Sequence, residues 1–199
     1  PCGPCSEIHY YIGQLDKQNK DGVNRTDEYR ELWNLVFMQY NRLENGKLED
    51  LPSKHVDTGL GLERMVSTLN NLDDHYKTDL FYPIIEHIVK ISNKNYSFDN
   101  GVPHRVIADH LRMVSFSISD GIMPSNEGRG YVVRRVLRRA ARFGRVLNFE
   151  NAFLFKLVPS LGKIMGNIFP EIIERQAHIA KIIKSEEESF NETLTKGLI

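Results

Sequence analysis

The chain has 199 residues, which is enough for one large domain or two small ones. Its 26 basic residues balance its 26 acidic residues, so the net charge neither indicates nor excludes a nucleic acid partner. With 41% hydrophobic residues and no apolar run of membrane-spanning length, the composition predicts a soluble globular protein and no membrane partner.

The first six residues, PCGPCS, contain the only two cysteines, Cys2 and Cys5. No second CxxC or His–Cys cluster completes a four-ligand zinc site, and no βαβ pattern supports a redox pair. We therefore expect no metal and no disulfide framework, a reducing cytoplasmic setting, and a rigid loop that lines a pocket. Because the chain opens on Pro1 inside this motif and closes on Ile199 inside a helical pattern, we also expect an internal fragment.

Residues 7 to about 62 predict antiparallel strands in series. The runs Glu7–Ile12 and Glu31–Leu43 are rich in aromatic and β-branched residues, and the second has large groups on both faces, as in a central strand. Glu44–Lys47 contains an Asn-Gly step and predicts a hairpin turn. Leu48–Leu51 begins a return strand, which Pro52 is expected to interrupt.

The stretch His55–Val66, HVDTGLGLERMV, predicts a strand, a glycine turn and a helix in that order. Gly59 and Gly61 let the backbone approach a ligand where a Cβ atom would collide. Arg64 falls in the first turn of the helix and suits a phosphate, while Asp57 suits a cationic group. Glycine-rich strand-to-helix turns also occur without ligands, so these residues alone leave both interpretations open.

Two polar residues near this turn are equally open on their own. Asn34 stands inside an apolar strand and needs either hydrogen-bond partners or a ligand. Glu63 precedes Arg64, and such pairs usually decorate a helix surface.

From residue 76 the hydrophobic period changes from two to 3.6, which predicts a domain boundary near residue 75. Thr78 and Asp79 are expected to start one helix, and Pro103 to open a second that Asp120-Gly121 stops. Residues 152 to 199 predict two or three further helices, with the acidic run Glu186–Glu188 exposed to solvent.

The segment 129–145, RGYVVRRVLRRAARFGR, contains seven arginines and no acid. At 3.6 residues per turn, its apolar residues from Val132 to Phe143 occupy one half of a helix, and the arginines from Arg134 to Arg145 occupy the other. A solvated face usually mixes both signs of charge, so the all-arginine face favours a polyanion. No aromatic residue interleaves the arginines, which favours a duplex or backbone contact over base stacking.

These features together resemble the alanyl-tRNA synthetases, a class II aminoacyl-tRNA synthetase family. The matching stretches are Gly3–Tyr10, Glu31–Arg42, the class motif 3 within His55–Val66, and Arg105–Gly144, the last being specific to the alanine enzymes. The resemblance implies an α+β fold, with the C-terminal part of the antiparallel catalytic sheet at 1–75. A truncated all-helical domain that recognises the tRNA acceptor stem would follow at 76–199.

The resemblance assigns roles to individual residues. Asp57 would hold the α-ammonium group of alanine, with Gly59 and Asn34 lining the amino acid site. Arg64 would bind ATP on its γ-phosphate side, beside Gly61 and Glu63, and the catalytic residues would be Asp57 and Arg64.

The expected tRNA contacts are Asn126, Arg134, Arg135, Arg138, Arg139 and Arg142. Family members recognise a G·U pair in the acceptor stem with an Asn and an Asp. The Asn falls at Gly128 here, which leaves open what reads the pair, with Asn126 a near neighbour. The Asp would lie beyond Ile199.

The implied activity is ATP- and Mg²⁺-dependent activation of alanine to alanyl-adenylate, followed by transfer to the 3′ end of tRNA(Ala) in the cytoplasm. Motifs 1 and 2 would precede Pro1, so we expect the isolated fragment to be inactive. Zinc is expected only in an editing domain beyond the chain, and a homo-oligomer is possible through a further C-terminal region. A non-catalytic RNA-binding relative and another class II ligase are alternatives, although the intact glycine motif and the arginine helix argue against them.

Overall fold

The computed structural model describes residues 1–197, and these form two compact units. The first unit, Pro1–Thr78, contains a three-stranded antiparallel sheet, and the second begins at Asp79, where every regular element among the described residues is a helix. The predicted α+β class is therefore confirmed, while the roles predicted for 1–75 and 76–199 stay predictions. Within the described residues no helix is both long and apolar enough to cross a bilayer. Leu198 and Ile199, the end of the predicted helical pattern, lie outside the described residues.

The sheet has the strand order β1-β2-β3, with β1 at Cys5–Tyr11, β2 at Tyr29–Arg42 and β3 at Leu48–Leu60. The longest strand, β2, lies in the centre, as its two-sided apolar pattern predicted. The predicted hairpin turn joins β2 to β3. Gly46 adopts a left-handed φ of 81°, and the Lys47 amide donates to Asn45 Oδ1 at 3.0 Å.

The prediction that Pro52 interrupts the return strand was wrong, because β3 runs through it from Leu48 to Leu60. The register shifts instead: Met38 pairs with His55, whereas Tyr40 pairs with Asp50. Pro52 falls in the part of β3 skipped by this shift, where its missing N–H leaves no ladder bond unmade.

The cysteine-containing start of the chain follows the far end of β2. Cys2 pairs with Tyr40, its amide donating to the Tyr40 carbonyl at 2.7 Å, and both cysteines are free thiols. A Cβ atom on Gly3 would lie 1.7 Å from the Phe37 carbonyl oxygen, so only glycine permits this close approach.

The glycine stretch forms the predicted strand, turn and helix. β3 ends at Leu60, and helix α1 covers Leu62–Leu69 with Gly61 as its N-cap. The Gly61 amide donates to the carbonyl of Leu32 at 3.1 Å. Leu32 is the extra residue of a β-bulge opposite Ile8 and His9, so the bulge anchors the turn to the central strand.

In the second unit α2 covers Tyr82–Ser92 and α3 covers Val102–Ser119. Thr78 and Asp79 do not start α2, contrary to prediction. Pro83 lies in the first turn instead, where its missing N–H is harmless, and the Thr78 hydroxyl donates to the His75 carbonyl at 2.7 Å. Helix α3 ends as predicted, at Asp120 and a left-handed Gly121.

The remaining helices are α4 at Gly128–Val146, α5 at Val158–Met165, α6 at Pro170–Glu174 and α7 at Gln176–Gly197. Residues spaced at three and four along these helices form the core of the unit. Its fully buried large side chains include Ile84, Ile85, Ile88, Ile107, Ile118, Leu137, Leu157, Leu161, Ile172, Ile179 and Ile183.

Candidate ligand face and nucleic-acid interface

The strand register brings polar residues from all three strands to one face of the sheet. Asn34 pairs with Glu7 on one side and with Gly59 on the other. One step along, Val36 pairs with Asp57. Directly opposed residues in an antiparallel sheet point their side chains to the same face. Asn34, Asp57 and Gly59, predicted to line one site, therefore share a surface.

This face has open space where a ligand would need it. Asp57 and Gly59 are exposed, and a Cβ atom built on Gly59 meets nothing within 4 Å. Asn34 is half-buried, and its Nδ2 atom lies 4.0 Å from the Sγ atom of Cys5. Such a weak contact leaves most of the hydrogen-bonding capacity of the amide available to a ligand.

The opposite face of the sheet has a different character. Ile8, Tyr10, Val56 and Leu60 are large apolar side chains with 40% or more of their surface exposed. They alternate along the strands with the polar residues, as the period of two requires. One face of the sheet thus exposes several large apolar side chains, whereas the other, called here the polar face, carries Asn34, Asp57 and Glu7, and a polar ligand suits this second face.

Arg64 lies in the first turn of α1 and is held against the central strand. Its Nη1 atom donates to the Glu31 carbonyl at 3.0 Å and lies 3.7 Å from the Glu31 carboxylate. The side chain remains 49% exposed, so the rest of its planar donor set is accessible to an anion.

The two glycines of the motif have different surroundings. A Cβ atom on Gly61 would lie 3.2 Å from the Cδ atom of Arg64, so this glycine makes room for the arginine rather than for a ligand. Gly59, in contrast, faces open space. Glu63, predicted beside ATP, is a half-buried residue of α1, and its assignment stays a prediction.

Sequence reasoning missed a hydrogen-bonded group on the polar face. The Glu7 carboxylate lies 3.0 Å from His9 Nε2 and accepts from Asn24 Nδ2 at 3.2 Å. The hydrogen bond to His9 lowers the pKa of Glu7, and the bond from Asn24 acts in the same direction. The signal was present in the sequence, because Glu7 and His9 are polar residues two apart in a strand.

Helix α4 carries the predicted apolar stripe on one side. Val133, Leu137, Ala140 and Ala141 are buried. Val132 was predicted within the same half but is 51% exposed, because it lies at the edge of the stripe, beyond the helices that cover it.

The arginines of α4 do not form a single outward face, contrary to prediction. Glu186 on α7 accepts from Arg138 Nε at 2.8 Å and lies 3.1 Å from Arg134 Nε. The side chains of these three residues are only 10% to 34% exposed. Arg145 of α4 donates to Asn191 of α7 at 3.1 Å. These arginines are therefore partly used in holding α4 to α7.

Three predicted tRNA contacts, Arg135, Arg139 and Arg142, are exposed and have no ion-pair partner among the described residues. Their spacing of four and three places them on one side of the helix. We call Arg135, Arg139 and Arg142 the exposed arginine row. Arg142, Arg139 and Phe143, together with Val146, line an open cavity of about 430 Å³.

The expectation that no aromatic accompanies the arginines was also wrong. The Arg135 guanidinium lies 5.7 Å from the centre of the Tyr131 ring, and that of Arg139 lies 5.8 Å from the Phe143 ring. Tyr131 is 46% exposed, one helical turn before Arg135. The sequence pattern did not indicate Tyr131, because this residue precedes the first pair of adjacent arginines, Arg134 and Arg135.

The segment before α4 contains the other predicted contact, Asn126, whose Oδ1 atom accepts from Arg134 Nη1. Gly128 has a left-handed φ of 55°, and a Cβ atom there would meet nothing within 4 Å. Asparagine tolerates this backbone region better than other non-glycine residues, so the position is suited to either residue.

The prediction that the whole acidic run on α7 is exposed to solvent was wrong. Glu187 is 1% exposed and accepts from the amides of Phe153 and Leu154 at 3.1 and 3.0 Å. Burial raises the pKa of Glu187 to about 7, against the opposing effect of these two hydrogen bonds. A run of three acids gave no signal that one side chain points into the core.

The chain is similar to known proteins along its whole length. Residues 1–199 match the family described as "tRNA synthetases class II (A)". The alanine–tRNA ligase of Chlorobium chlorochromatii is 51% identical over 204 residues, which cover 100% of this chain and 23% of that protein. The alanine–tRNA ligase of Lactobacillus johnsonii is 49% identical over 208 residues, which cover 100% of this chain and 24% of that protein. The alanine–tRNA ligase of Bacillus subtilis is 46% identical over 205 residues, which cover 100% of this chain and 23% of that protein. The chain spans about a quarter of the length of these curated relatives.

Proposed function

We propose that this chain, which belongs to the class II (A) family of tRNA synthetases, is part of an alanine–tRNA ligase. In this proposal the sheet unit supplies part of the alanine- and ATP-binding site. The helical unit supplies a binding surface for the acceptor stem of tRNA(Ala), and the enzyme works in the cytoplasm. Homo-oligomer formation through a region beyond this chain stays a prediction.

On the sheet, the proposed substrate is a small zwitterion. The exposed Asp57 carboxylate would accept hydrogen bonds from the α-ammonium group of alanine. Gly59 would face its methyl group, since no Cβ atom fills that space. Asn34, opposite Gly59 across the strands, would donate to or accept from the bound amino acid.

Activation joins the alanine carboxylate to the α-phosphate of ATP and expels pyrophosphate. Arg64 would stabilise negative charge on the phosphates, because its guanidinium is fixed by Glu31 at one edge and remains accessible at the other. This step requires positioning and charge stabilisation rather than a protein nucleophile. The nucleotide's Mg²⁺ would neutralise phosphate charge.

Glu7 and Asp57 are among the carboxylates on the polar face, and either would be a ligand for this Mg²⁺. Mg²⁺ that accompanies a nucleotide is typically held by phosphates, waters and one or two carboxylates. Among the described residues no group of three metal-ligating side chains occurs, which fits a metal bound mainly through the nucleotide.

On the helical unit, the exposed arginine row would contact acceptor-stem phosphates. Three cations on one helix face match the spacing of a polyanion better than the mixed charges of an ordinary surface. Arg134 and Arg138 would contribute less directly, since Glu186 already engages both.

The observation that carries the proposal is the register that places Asn34, Gly59 and Asp57 on one open face. The test is ATP–pyrophosphate exchange by a full-length enzyme that contains this chain, with alanine, glycine and serine. We expect exchange to be strongest with alanine. Loss of a hydrogen bond to a charged group should lower kcat/KM for alanine about 10- to 100-fold in Asp57→Asn.

Asp50→Asn is the matched control, because Asp50 is an exposed aspartate on the same strand beyond the register shift. It should leave exchange unchanged. Equal exchange by wild type and Asp57→Asn would reject the assignment of Asp57. No exchange with any of the three amino acids, together with retained RNA binding, would instead favour a non-catalytic RNA-binding relative.

A further inference from the structure

One carboxylate on α7 organises two arginines of α4. Glu186 Oε1 lies 2.8 Å from Arg138 Nη2 and 3.1 Å from Arg134 Nε. With its side chain 10% exposed, Glu186 is the most shielded member of this trio. The contact with Arg138 is a charge-assisted hydrogen bond, whereas the contact with Arg134 is an ion pair, because Arg134 Nε makes no hydrogen bond among the described residues. Together these contacts hold both guanidinium groups beside Glu186.

Arg134 also reaches in the opposite direction, to the segment that precedes α4. Its Nη1 atom donates to Asn126 Oδ1, and its Nη2 atom lies 3.5 Å from the carbonyl oxygen of Pro124. Arg134 is therefore a bridge between Glu186 and Asn126.

This bridge decides how the Asn126 amide is oriented. A guanidinium group can only donate hydrogen bonds, so the atom of Asn126 that faces Arg134 must be the oxygen. The two N–H donors of the amide then point away from Arg134. Asn126 itself is exposed, so these donors are accessible to a partner.

The backbone of the same segment is fixed independently of Arg134. The Ser125 amide donates to the Gly130 carbonyl at 3.1 Å, and the Ser125 hydroxyl donates to the Glu127 carbonyl at 2.9 Å. A Cβ atom on Gly130 would lie 2.2 Å from the Met123 carbonyl oxygen, so this glycine allows the segment to fold back onto α4. With the backbone held in this way, rotation of the Asn126 side chain is the main remaining freedom, and Arg134 limits it.

We propose that Glu186 is a positioning residue for acceptor-stem recognition, acting through Arg134 to aim the Asn126 amide donors at a hydrogen-bond acceptor on a base edge. The inference rests on the proposed function and deepens it. The wide, shallow minor groove of an RNA helix exposes base edges that carry N3 and O2 acceptors. A donor held in one place distinguishes base pairs whose acceptors lie in different places, as in G·U and G·C.

The test measures binding of a full-length enzyme to two acceptor-stem duplexes that differ only in one G·U or G·C pair, at several salt concentrations. In Glu186→Gln we expect the ratio of the two affinities to fall about tenfold, the discrimination of one good base contact. Affinity for both duplexes should rise at low salt, since a negative charge beside the arginines is gone. Glu188→Gln is the matched control, because Glu188 is 54% exposed and pairs with Lys184 rather than with α4.

Two further variants keep the test decisive if Glu186→Gln destabilises the helical unit. Arg134→Lys keeps the charge but cannot bridge Glu186 and Asn126, and Asn126→Asp keeps the acceptor but removes the donors. Both should lower the affinity ratio to the Glu186→Gln level. The double variant Glu186→Gln/Asn126→Asp should lower the affinity ratio no further, because both substitutions interrupt the same series of contacts from Glu186 through Arg134 to Asn126.

Retention of the wild-type ratio in Asn126→Asp would overturn the inference. So would a rise in affinity for both duplexes in Glu186→Gln with the ratio unchanged, because Glu186 would then only tune charge. Failure of the proposed function has a different signature: the wild-type enzyme would bind neither duplex, and both proposals would fall together.

Discussion

The pH dependence of stability should reveal the buried carboxyl group of Glu187. Its pKa of about 7 in the folded chain lies above the ordinary value of 4.5, so folding favours the protonated form. The contribution of this group to stability is therefore full below pH 4.5 and is lost as the pH rises to about 7. At about 1.4 kcal/mol for each pH unit, the loss is about 3 kcal/mol.

Replacing Glu187 by Gln tests this directly, because glutamine stays neutral and keeps an oxygen that accepts from the Phe153 and Leu154 amides. The free energy of unfolding of wild type minus that of Glu187→Gln should fall by about 3 kcal/mol between pH 4.5 and pH 8. Urea unfolding followed by far-UV circular dichroism gives these values. Fluorescence is unsuitable, since the only tryptophan, Trp33, lies in the sheet unit.

Hydrogen exchange provides a local check of the same prediction. The protection factors of the Phe153 and Leu154 amides should fall over the same pH range in wild type and stay level in Glu187→Gln. Glu188→Gln, one residue along the same helix but exposed, should keep most of the wild-type pH dependence, because the charge of Glu188 is a lesser cause of the raised pKa of Glu187 than burial. A difference in unfolding free energy that rises with pH would refute the reasoning. The two amide hydrogen bonds would then outweigh burial.

Three other predictions concern the candidate sites. Arg139→Ala should lower the salt dependence of tRNA binding by about one phosphate contact, whereas Arg138→Ala should change it less because Glu186 partly neutralises Arg138; equal slopes would contradict the exposed arginine row. Gly59→Ala should keep the wild-type melting temperature, because the added Cβ atom meets nothing, yet raise KM for alanine in pyrophosphate exchange; an unchanged KM would place the methyl group elsewhere. Gly128→Asn should change stability by less than about 1 kcal/mol in urea unfolding, since the space is open and asparagine tolerates the left-handed backbone; a larger loss would show that this turn requires glycine.

Sequence periodicity predicted the elements whose environment is simple. The central position of β2 followed from apolar residues on both of its faces, and the buried residues of α3 and α4 followed from the 3.6-residue period. The hairpin at Gly46 and the strand–glycine–helix turn at Gly61 were predictable for a local reason. Gly46 adopts a left-handed φ that glycine favours, whereas Gly61 has an ordinary backbone and makes room for the Arg64 side chain.

Two predictions of element boundaries failed, for different reasons. Thr78 and Asp79 have the composition of a helix start, yet the helix begins at Tyr82. Pro52 is a strand breaker in isolation, yet the sheet accommodates it by shifting register. At Pro52 strand pairing outweighed local propensity, whereas at Thr78 the hydroxyl donates to the nearby His75 carbonyl and Pro83 occupies the first turn of the helix.

The amino-acid sequence by itself determined the α+β class, the glycine turn that carries Arg64, and the concentration of arginine on α4. Only the tertiary structure decided that Asn34, Asp57 and Gly59 share one open face, and that α7 divides the arginines into a tethered pair and an exposed row. The physical reason is that strand register and the approach of α7 bring together residues far apart in the chain. Glu186 lies 48 residues beyond Arg138, and no local sequence pattern indicates which arginines of α4 Glu186 will neutralise.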